Sequence, residues 1–478
     1  MEKSKKGLLW SAIERFSVQG SQFILSLIIA RLVTPEDFGL IAMLSIFMAI
    51  AQVFTDSGFG SALIQKIDRN NTDYSTVFYF NTATSIILYL ILYLFAPYIA
   101  DFYDTPQLKL LTRVIGLNLI LMALCLIQKT IYRIELDFKT TAIISLISML
   151  LSGIVGIVLA YRGFGVWALV FQTLSNNLLL TIILWGASKW RPVLVFSKKS
   201  FYNLFSFGSK LLVSQLLHTI FLNLYSLVIG KFYKPSDVGY YNRAYTIAQY
   251  PPINLMTIIT NVLYPVQCNH QDDNEWLEQT FPLFIRLSCF IVFPIMVLLA
   301  VIAKPLVLII LSDKWLSSAP LISILALAYM WVAVGTLNNS LINSKGRSDI
   351  YLKAEIIKKV IAVLILIVTL QLGLIWLCIG LLIYNIIDFN IIIWFTRKIY
   401  PLGYNIQYKA FLPILLLSFV AGGITYCIGS FINTIWIKLT LEIIMYMSIY
   451  LILSIILRIN ELKIIKNLIR NNHNSLQG

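Results

Sequence analysis

The chain alternates long apolar runs with short polar segments. Fourteen runs are long and apolar enough to cross a bilayer as a helix, which takes about 20 residues. No joining segment is long enough to hold a soluble domain. The pattern therefore predicts an all-α polytopic membrane protein, with spans near residues 8–30, 38–60, 76–99, 108–132, 140–161, 164–187, 203–229, 237–263, 281–302, 316–342, 356–371, 373–396, 410–430 and 435–457.

The composition supports this prediction. Hydrophobic residues make up 59% of the chain and charged residues 12%, with a mean hydropathy of +0.82. A soluble domain carries about 25% charged residues. The five cysteines form no CxxC pair and the three histidines are far apart, so we expect no metal and no cofactor.

The net charge of +15 is explained by the predicted topology. With a cytoplasmic N-terminus, the cytoplasmic segments hold 23 Lys and Arg residues, the external segments hold 8, and the spans hold the other six. This bias follows the positive-inside rule and predicts that both termini are cytoplasmic. The basic balance therefore does not indicate a nucleic-acid partner.

One turn occurs twice, 200 residues apart. The segments ARLVTPEDFGLIAM (30–43) and GKFYKPSDVGYYNRA (230–244) share the pattern [RK]-x-x-x-P-x-D-x-G. Each joins an outward-running span to an inward-running one, so the copies have the same orientation. We expect Pro to set the backbone, Asp to cap and Gly to let a helix approach. A chance recurrence of common turn residues is the alternative.

The repeat predicts two six-span lobes around a central cavity. The N-lobe is expected at 1–187, a basic cytoplasmic linker at 188–202 and the C-lobe at 203–397. Residues 398–478 are expected to add a C-terminal helix pair and a cytoplasmic tail.

Polar side chains recur at helical spacing in the four spans that flank the repeated turn. Since buried charges in a membrane usually face a cavity or a partner, these faces predict a cationic cleft. Basic groups bind pyrophosphate oxygens well, and we assign that role to Arg15, Lys210, His218 and Arg243. The other polar cavity positions, where we expect hydrogen bonds to a polar cargo, are Gln19, Gln22, Gln52, Thr246, Tyr250 and Asn254.

Other interpretations of these residues remain open. Ser, Thr, Asn and Gln also join membrane helices, and Arg15 and Arg243 could reach the membrane surface instead. Asp56 and Asp388 are candidates for ion coupling, with a structural partner as the alternative. Pro251 and Pro252 are expected to bend or break their helix.

Several segments resemble a known family. These are GFGSALIQ (58–65), TPEDFGLIAM (34–43), KPSDVGYYNRAYTIAQYP (234–251) and FGSK (207–210). They look like the polysaccharide-transporter branch of the multidrug/oligosaccharidyl-lipid/polysaccharide exporter superfamily, of the O-antigen-flippase, lipopolysaccharide and colanic-acid exporter type.

The resemblance implies a bacterial inner-membrane flippase for undecaprenyl-pyrophosphate-linked oligosaccharides. Related flippases use cavity arginines on spans 1 and 8, where Arg15 and Arg243 fall; span 2 offers only Gln52 and Asp56. Alternating access is expected to be driven by the membrane potential or by a proton or sodium gradient. A polysaccharide polymerase and export machinery are the expected protein partners.

Three rival functions are weighed against this one. A cation or drug antiporter of the same superfamily predicts an acidic cavity, whereas the predicted cavity is basic. A lipid II flippase differs only in cargo. A polysaccharide polymerase usually carries a large external loop, and none is long here, so we expect no enzyme activity.

We predict that Arg15→Ala or Arg243→Ala abolishes surface-polysaccharide export, because the pyrophosphate loses a cationic partner. Export is measured in cells and protein level in isolated membranes. Normal export by both variants would contradict the assignment.

Overall fold

The computed structural model describes residues 2–56, 58–457 and 459. The described side chains do not include those of residues 2–16, 207, 210 and 211. The pyrophosphate-binding roles predicted for Arg15 and Lys210 therefore fall outside the described side chains. The described chain is helical throughout, without a β-strand. It divides into two compact units, Met1–Gly239 and Tyr240–Gly478.

Nine helices and the start of a tenth form the first unit. They are α1 (Glu2–Leu32), α2 (Pro35–Asp56), α3 (Phe59–Gln65), α4 (Asn71–Phe102), α5 (Gln107–Ile115), α6 (Leu117–Ile134), α7 (Phe138–Tyr161), α8 (Val166–Ala187), α9 (Lys198–Phe232) and the first five residues of α10 (Pro235–Asn269).

The rest of α10 and seven further helices form the second unit. They are α11 (Asn274–Ile310), α12 (Ser318–Tyr329), α13 (Val332–Ser344), α14 (Ser348–Leu370), α15 (Leu374–Thr396), α16 (Tyr404–Gly429) and α17 (Ile435–Ile456). A 3₁₀ turn, Asp313–Trp315, precedes α12. Helix α10 continues through Pro251 and Pro252 as one element, so the expected break does not occur.

Eleven segments of the described chain are long and apolar enough to cross a membrane. This confirms the all-α, multi-pass prediction. Three further helices, α1, α10 and α14, exceed the length of about 20 residues that a crossing takes. Helices α1 and α10 are more polar, and α14 carries five charged residues in its first twelve. The count of fourteen spans and the lobe boundaries remain predictions.

The repeated turn has the local chemistry that its sequence predicts. The Asp37 carboxylate accepts hydrogen bonds from the Thr34 hydroxyl (2.5 Å) and the Thr34 backbone N–H (3.2 Å), while the Thr34 hydroxyl accepts from the Asp37 N–H. These bonds form a reciprocal cap at the start of α2. In the second copy, Asp237 accepts from the Lys234 N–H at 3.3 Å.

The two glycines of the repeat bring the starts of α2 and α10 into direct backbone contact. A Cβ on Gly39 would lie 1.7 Å from the Pro235 carbonyl oxygen, and one on Gly239 would lie 1.9 Å from that of Pro35. The contact is therefore reciprocal, and all four residues belong to the first unit. Only glycine permits this approach on either side.

Glycines also set the packing of α7. A Cβ on Gly153 would overlap the side chain of Leu25 in α1, and one on Gly156 would lie 3.0 Å from both Ile29 of α1 and Gln172 of α8. Helix α7 therefore packs closely against α1 and α8 at this glycine pair. Small residues allow such approach between membrane helices.

A buried ion-pair cluster joins α14 to α15 in the second unit. The Lys358 side chain is only 3% exposed, and its Nζ lies 3.2 Å from Asp388 and in contact with Glu355. The Tyr384 hydroxyl donates a further hydrogen bond to Asp388 at 3.1 Å. The sequence left two roles open for Asp388, ion coupling and a structural partner on another helix. The structure shows such a partner, Lys358 of α14.

We expect Gly39→Ala to destabilise the protein, because the added methyl group overlaps a backbone carbonyl that cannot move independently of α10. Overpacking of this kind costs about 1–3 kcal/mol. The melting temperature of the purified protein in detergent should fall. Gly423→Ala is the matched control, since a Cβ there meets nothing within 4 Å; equal melting temperatures for the two variants would contradict the proposed contact.

A second prediction concerns the charge cluster. Removing one partner of a buried ion pair leaves an uncompensated charge and costs about 3–5 kcal/mol. Lys358→Met and Asp388→Asn should each lower the melting temperature, and the double variant should lose less than the sum of the two. Strict additivity in this double-mutant cycle would show that the pair does not interact.

Candidate functional site

The predicted cavity residues of α1, α2 and α9 are placed on accessible helix faces. The side chains of Gln22, Gln52 and His218 are exposed, and that of Gln19 is half-buried. Near them, the Ser45 hydroxyl of α2 donates to the Asn223 side chain of α9 at 3.1 Å. One member of the polar face on α2 therefore joins two helices, as membrane serines often do.

Asp56 lies at the junction of α2 and α3. Its carboxylate accepts a hydrogen bond from the Gly60 backbone N–H, and the charge of Arg133 is nearby. Gly58, with a left-handed φ of 69°, makes the turn between the two helices. The local contacts of Asp56 are those of a residue that stabilises this turn, and its role in ion coupling stays a prediction.

The predicted residues of α10 are all in the second unit. Arg243 is only 5% exposed, and its guanidinium carbon lies 5.6 Å from the centre of the Trp315 ring. Thr246 and Asn254 donate to backbone carbonyls one turn earlier, at 2.8 Å each, and Tyr250 is half-buried. Arg243 is thus packed inside the second unit, over an aromatic face that favours a cation.

The polar face of α1 opens on a cavity within the first unit, which we call the first-unit cavity. It has a volume of about 360 Å³ and lies among α1, α2, α6, α7 and α8. Gln22 and Ser26 belong to the face identified in the sequence. The complete lining is Val18, Gln22, Ser26, Phe38, Lys129, Ser145, Met149, Ser152, Leu169, Gln172, Thr173, Asn176, Asn177 and Leu180.

A second cavity lies between α10 and α13 and is called the second-unit cavity. Its volume is about 640 Å³ and its lining carries no charged residue. Seven of its eight residues offer hydroxyl or amide groups. The complete lining is Thr260, Asn261, Tyr264, Pro265, Thr336, Asn339, Ser340 and Asn343.

Two buried amides have unused hydrogen-bonding capacity: Asn339 lines this cavity, and Gln267 lies behind the lining residue Ser340. Within the described part of the chain, Asn339 Oδ1 and Gln267 Nε2 are buried without a hydrogen-bond partner. The Ser340 hydroxyl donates to Gln267 Oε1 at 2.6 Å and links α13 to α10. An unsatisfied buried polar atom costs about 1–3 kcal/mol, so a ligand that supplies the missing partner is favoured.

The α13 half of this cavity was not predicted from the sequence. Thr336, Asn339, Ser340 and Asn343 recur at i, i+3, i+4 and i+7, which places them on one helix face. This spacing could have indicated a polar helix face from the sequence. Polar faces were assigned only to the four spans that flank the repeated turn, and α13 is not one of them. Lys129 was likewise counted only as a charge within a span. Over the described residues, no group of three or more His, Cys, Asp or Glu side chains could hold a metal ion.

The fold and sequence both match known proteins. The fold is similar to that of the lipid II flippase MurJ in an inward closed conformation, with a TM-score of 0.75 at 16% identity over 94% of this chain and 99% of the other. The sequence is 26% identical to the lipopolysaccharide biosynthesis protein WzxC of Escherichia coli (strain K12), over 88% of each chain. It is also 26% identical to the teichuronic acid biosynthesis protein TuaB of Bacillus subtilis (strain 168), over 72% of each.

These matches confirm the resemblance and the transporter class. A family model described as "Polysaccharide biosynthesis protein" matches residues 28–320. This range includes both copies of the repeated turn, the first-unit cavity apart from its α1 residues, and the α10 side of the second-unit cavity. Family and relatives indicate a membrane transporter of polysaccharide biosynthesis rather than an enzyme. The chain belongs to the polysaccharide biosynthesis protein family, as a multi-pass membrane protein.

Proposed function

We propose that this protein moves polyprenyl-pyrophosphate-linked oligosaccharide units from the cytoplasmic to the periplasmic leaflet of a bacterial inner membrane. The units would serve the synthesis of a surface polysaccharide. The observation that carries this proposal is the second-unit cavity, in which uncharged hydroxyl and amide groups face each other across two helices.

The energetics of sugar transfer explain why such a cavity is needed. Moving one hydroxyl from water to hydrocarbon without a partner costs about 4–8 kcal/mol. An oligosaccharide carries many hydroxyls, while the membrane potential supplies only about 2.3 kcal/mol per charge per 100 mV. The potential alone cannot carry the head group through lipid, so the protein has to replace the hydrogen bonds that water supplied.

The lining residues are suited to that replacement. Asn side chains both donate and accept, and Thr, Ser and Tyr hydroxyls rotate to do either. On α13 the four polar residues fall within the last nine residues of the helix, which ends at Ser344. In the predicted topology this end is cytoplasmic, the side from which the cargo enters.

The mechanism we propose is alternating access with the lipid tail left in the bilayer. The sugar head enters a polar cavity open to the cytoplasm, and the two lobes then move so that it opens to the periplasm. Arg15, Lys210 and Arg243 remain the proposed pyrophosphate partners on sequence grounds. The anionic head moves toward the positive side of the membrane, so the potential favours export.

We expect the double variant Thr336→Val with Asn339→Leu to lose most export, because both changes keep the side-chain size but remove hydrogen bonds. Export is measured as surface polysaccharide in a strain whose own copy of the gene is deleted. The matched control is Thr440→Val with Asn269→Leu, at exposed positions outside the cavity.

Two further measurements complete the test. Protein level in membranes and melting temperature of the purified variant establish that the loss is not a folding defect. Normal export by the cavity variant, with the control also normal, would exclude the second-unit cavity as part of the path. Unchanged surface polysaccharide on deletion of the gene itself would contradict the proposed function.

A further inference from the structure

The first-unit cavity differs from the second in one respect, its charge. Lys129 is the one charged residue in its lining, which holds no Asp or Glu among the described residues. The remaining polar members are neutral hydroxyls and amides. The cavity is therefore a neutral hydrogen-bonding surface with a single ammonium group.

The ammonium group of Lys129 has no carboxylate partner among the described side chains, although it is half-buried. The two most buried lysines that form ion pairs behave differently. Lys66 lies 2.7 Å from Asp73, and Lys358 is held by both Asp388 and Glu355. An ammonium group at membrane depth is costly without a counter-ion. Since no described carboxylate pairs with Lys129, we expect a ligand to supply the anion.

The neighbours of Lys129 could complete an anion site. Gln22 of α1 and Gln172 of α8 line the same cavity, and neither side chain uses its amide in a hydrogen bond to another described residue. Ser145 of α7 adds a hydroxyl. An anion oxygen that meets one ammonium and several N–H or O–H donors forms charge-assisted hydrogen bonds, which are the strong class.

The position of Lys129 allows contact with both the cavity and the cytoplasm. It lies five residues before the end of α6 at Ile134, about 8 Å along the helix axis. In the predicted topology this end is cytoplasmic. A lysine at this depth could also extend to the membrane surface and serve no ligand, and the experiment below separates the two.

We propose that the first-unit cavity is an anion subsite in which Lys129 binds a phosphate or carboxylate oxygen of the cargo. This rests on the proposed function, since the cargo is the ligand that brings an anion into the membrane. The two sources are the pyrophosphate of the lipid carrier and the carboxylate of an acidic sugar. Each supplies oxygens of the same chemistry.

The first test measures binding without transport. The full-length protein is purified in lipid nanodiscs, and its melting temperature is followed with inorganic pyrophosphate, glucuronate or uncharged glucose. We expect one or both anions, but not glucose, to stabilise the wild type. Lys129→Gln should weaken this binding by about tenfold or more, the loss of one charge-assisted hydrogen bond, and Lys129→Arg should retain it.

Matched variants separate binding from structure. Lys353→Gln removes an exposed lysine from α14 and should leave anion binding unchanged. The melting temperature of Lys129→Gln without ligand reports its folding, and Lys129→Met provides a second neutral variant if that temperature falls. Equal anion affinities for wild type, Lys129→Gln and Lys129→Met would overturn the proposal.

The second test identifies the source of the anion in cells. Export is measured for two lipid-linked units, one with and one without an acidic sugar. Loss of both by Lys129→Gln assigns the site to the pyrophosphate, and loss of the acidic unit alone assigns it to the sugar carboxylate. Normal export of both would overturn a role in cargo binding. A different outcome would separate the two proposals. If the wild-type protein binds anions through Lys129 but exports neither unit, the proposed function is refuted and the anion site is retained.

Discussion

A polar group at membrane depth has to find a partner within the protein, because lipid offers none. The described structure meets this constraint in three ways. Serine and threonine hydroxyls donate to carbonyls of their own helix, as Thr246 does. Charged groups pair, as Lys358 does with Asp388. Other polar side chains line the first-unit and second-unit cavities, where they are available to a ligand.

The same constraint gives the two cavities different chemistry. The second-unit cavity is neutral and presents amides and hydroxyls from both of its helices, which suits the hydroxyl groups of sugars. The first-unit cavity adds the ammonium group of Lys129. A lipid-linked oligosaccharide has both kinds of group, many neutral hydroxyls and a small number of anionic oxygens. Neither a neutral nor a cationic cavity suits a cationic drug, whereas each suits one kind of group in the proposed cargo.

The repeated turn has a structural role that follows from its residues. Asp37 and Asp237 cap their helices, and Gly39 and Gly239 allow each helix start to meet the carbonyl of the other copy's proline. A recurring sequence thus produces a reciprocal contact. The glycines have to be kept in both copies because the contact excludes a Cβ from both sides.

The sequence by itself determined the membrane class, the all-helical character of the chain and the capping of the repeated turn. Each depends on local properties, namely hydrophobic run length and residues a few positions apart. It also identified the α1 face to which Gln22 and Ser26 belong. The tertiary structure decided which polar faces meet. Asp388 could not be assigned to Lys358 from sequence, because the two lie on different helices. Nor could Asn339 and Asn261, or Lys129 and Gln22, be assigned to shared cavities, since each cavity is made by helices distant in the chain.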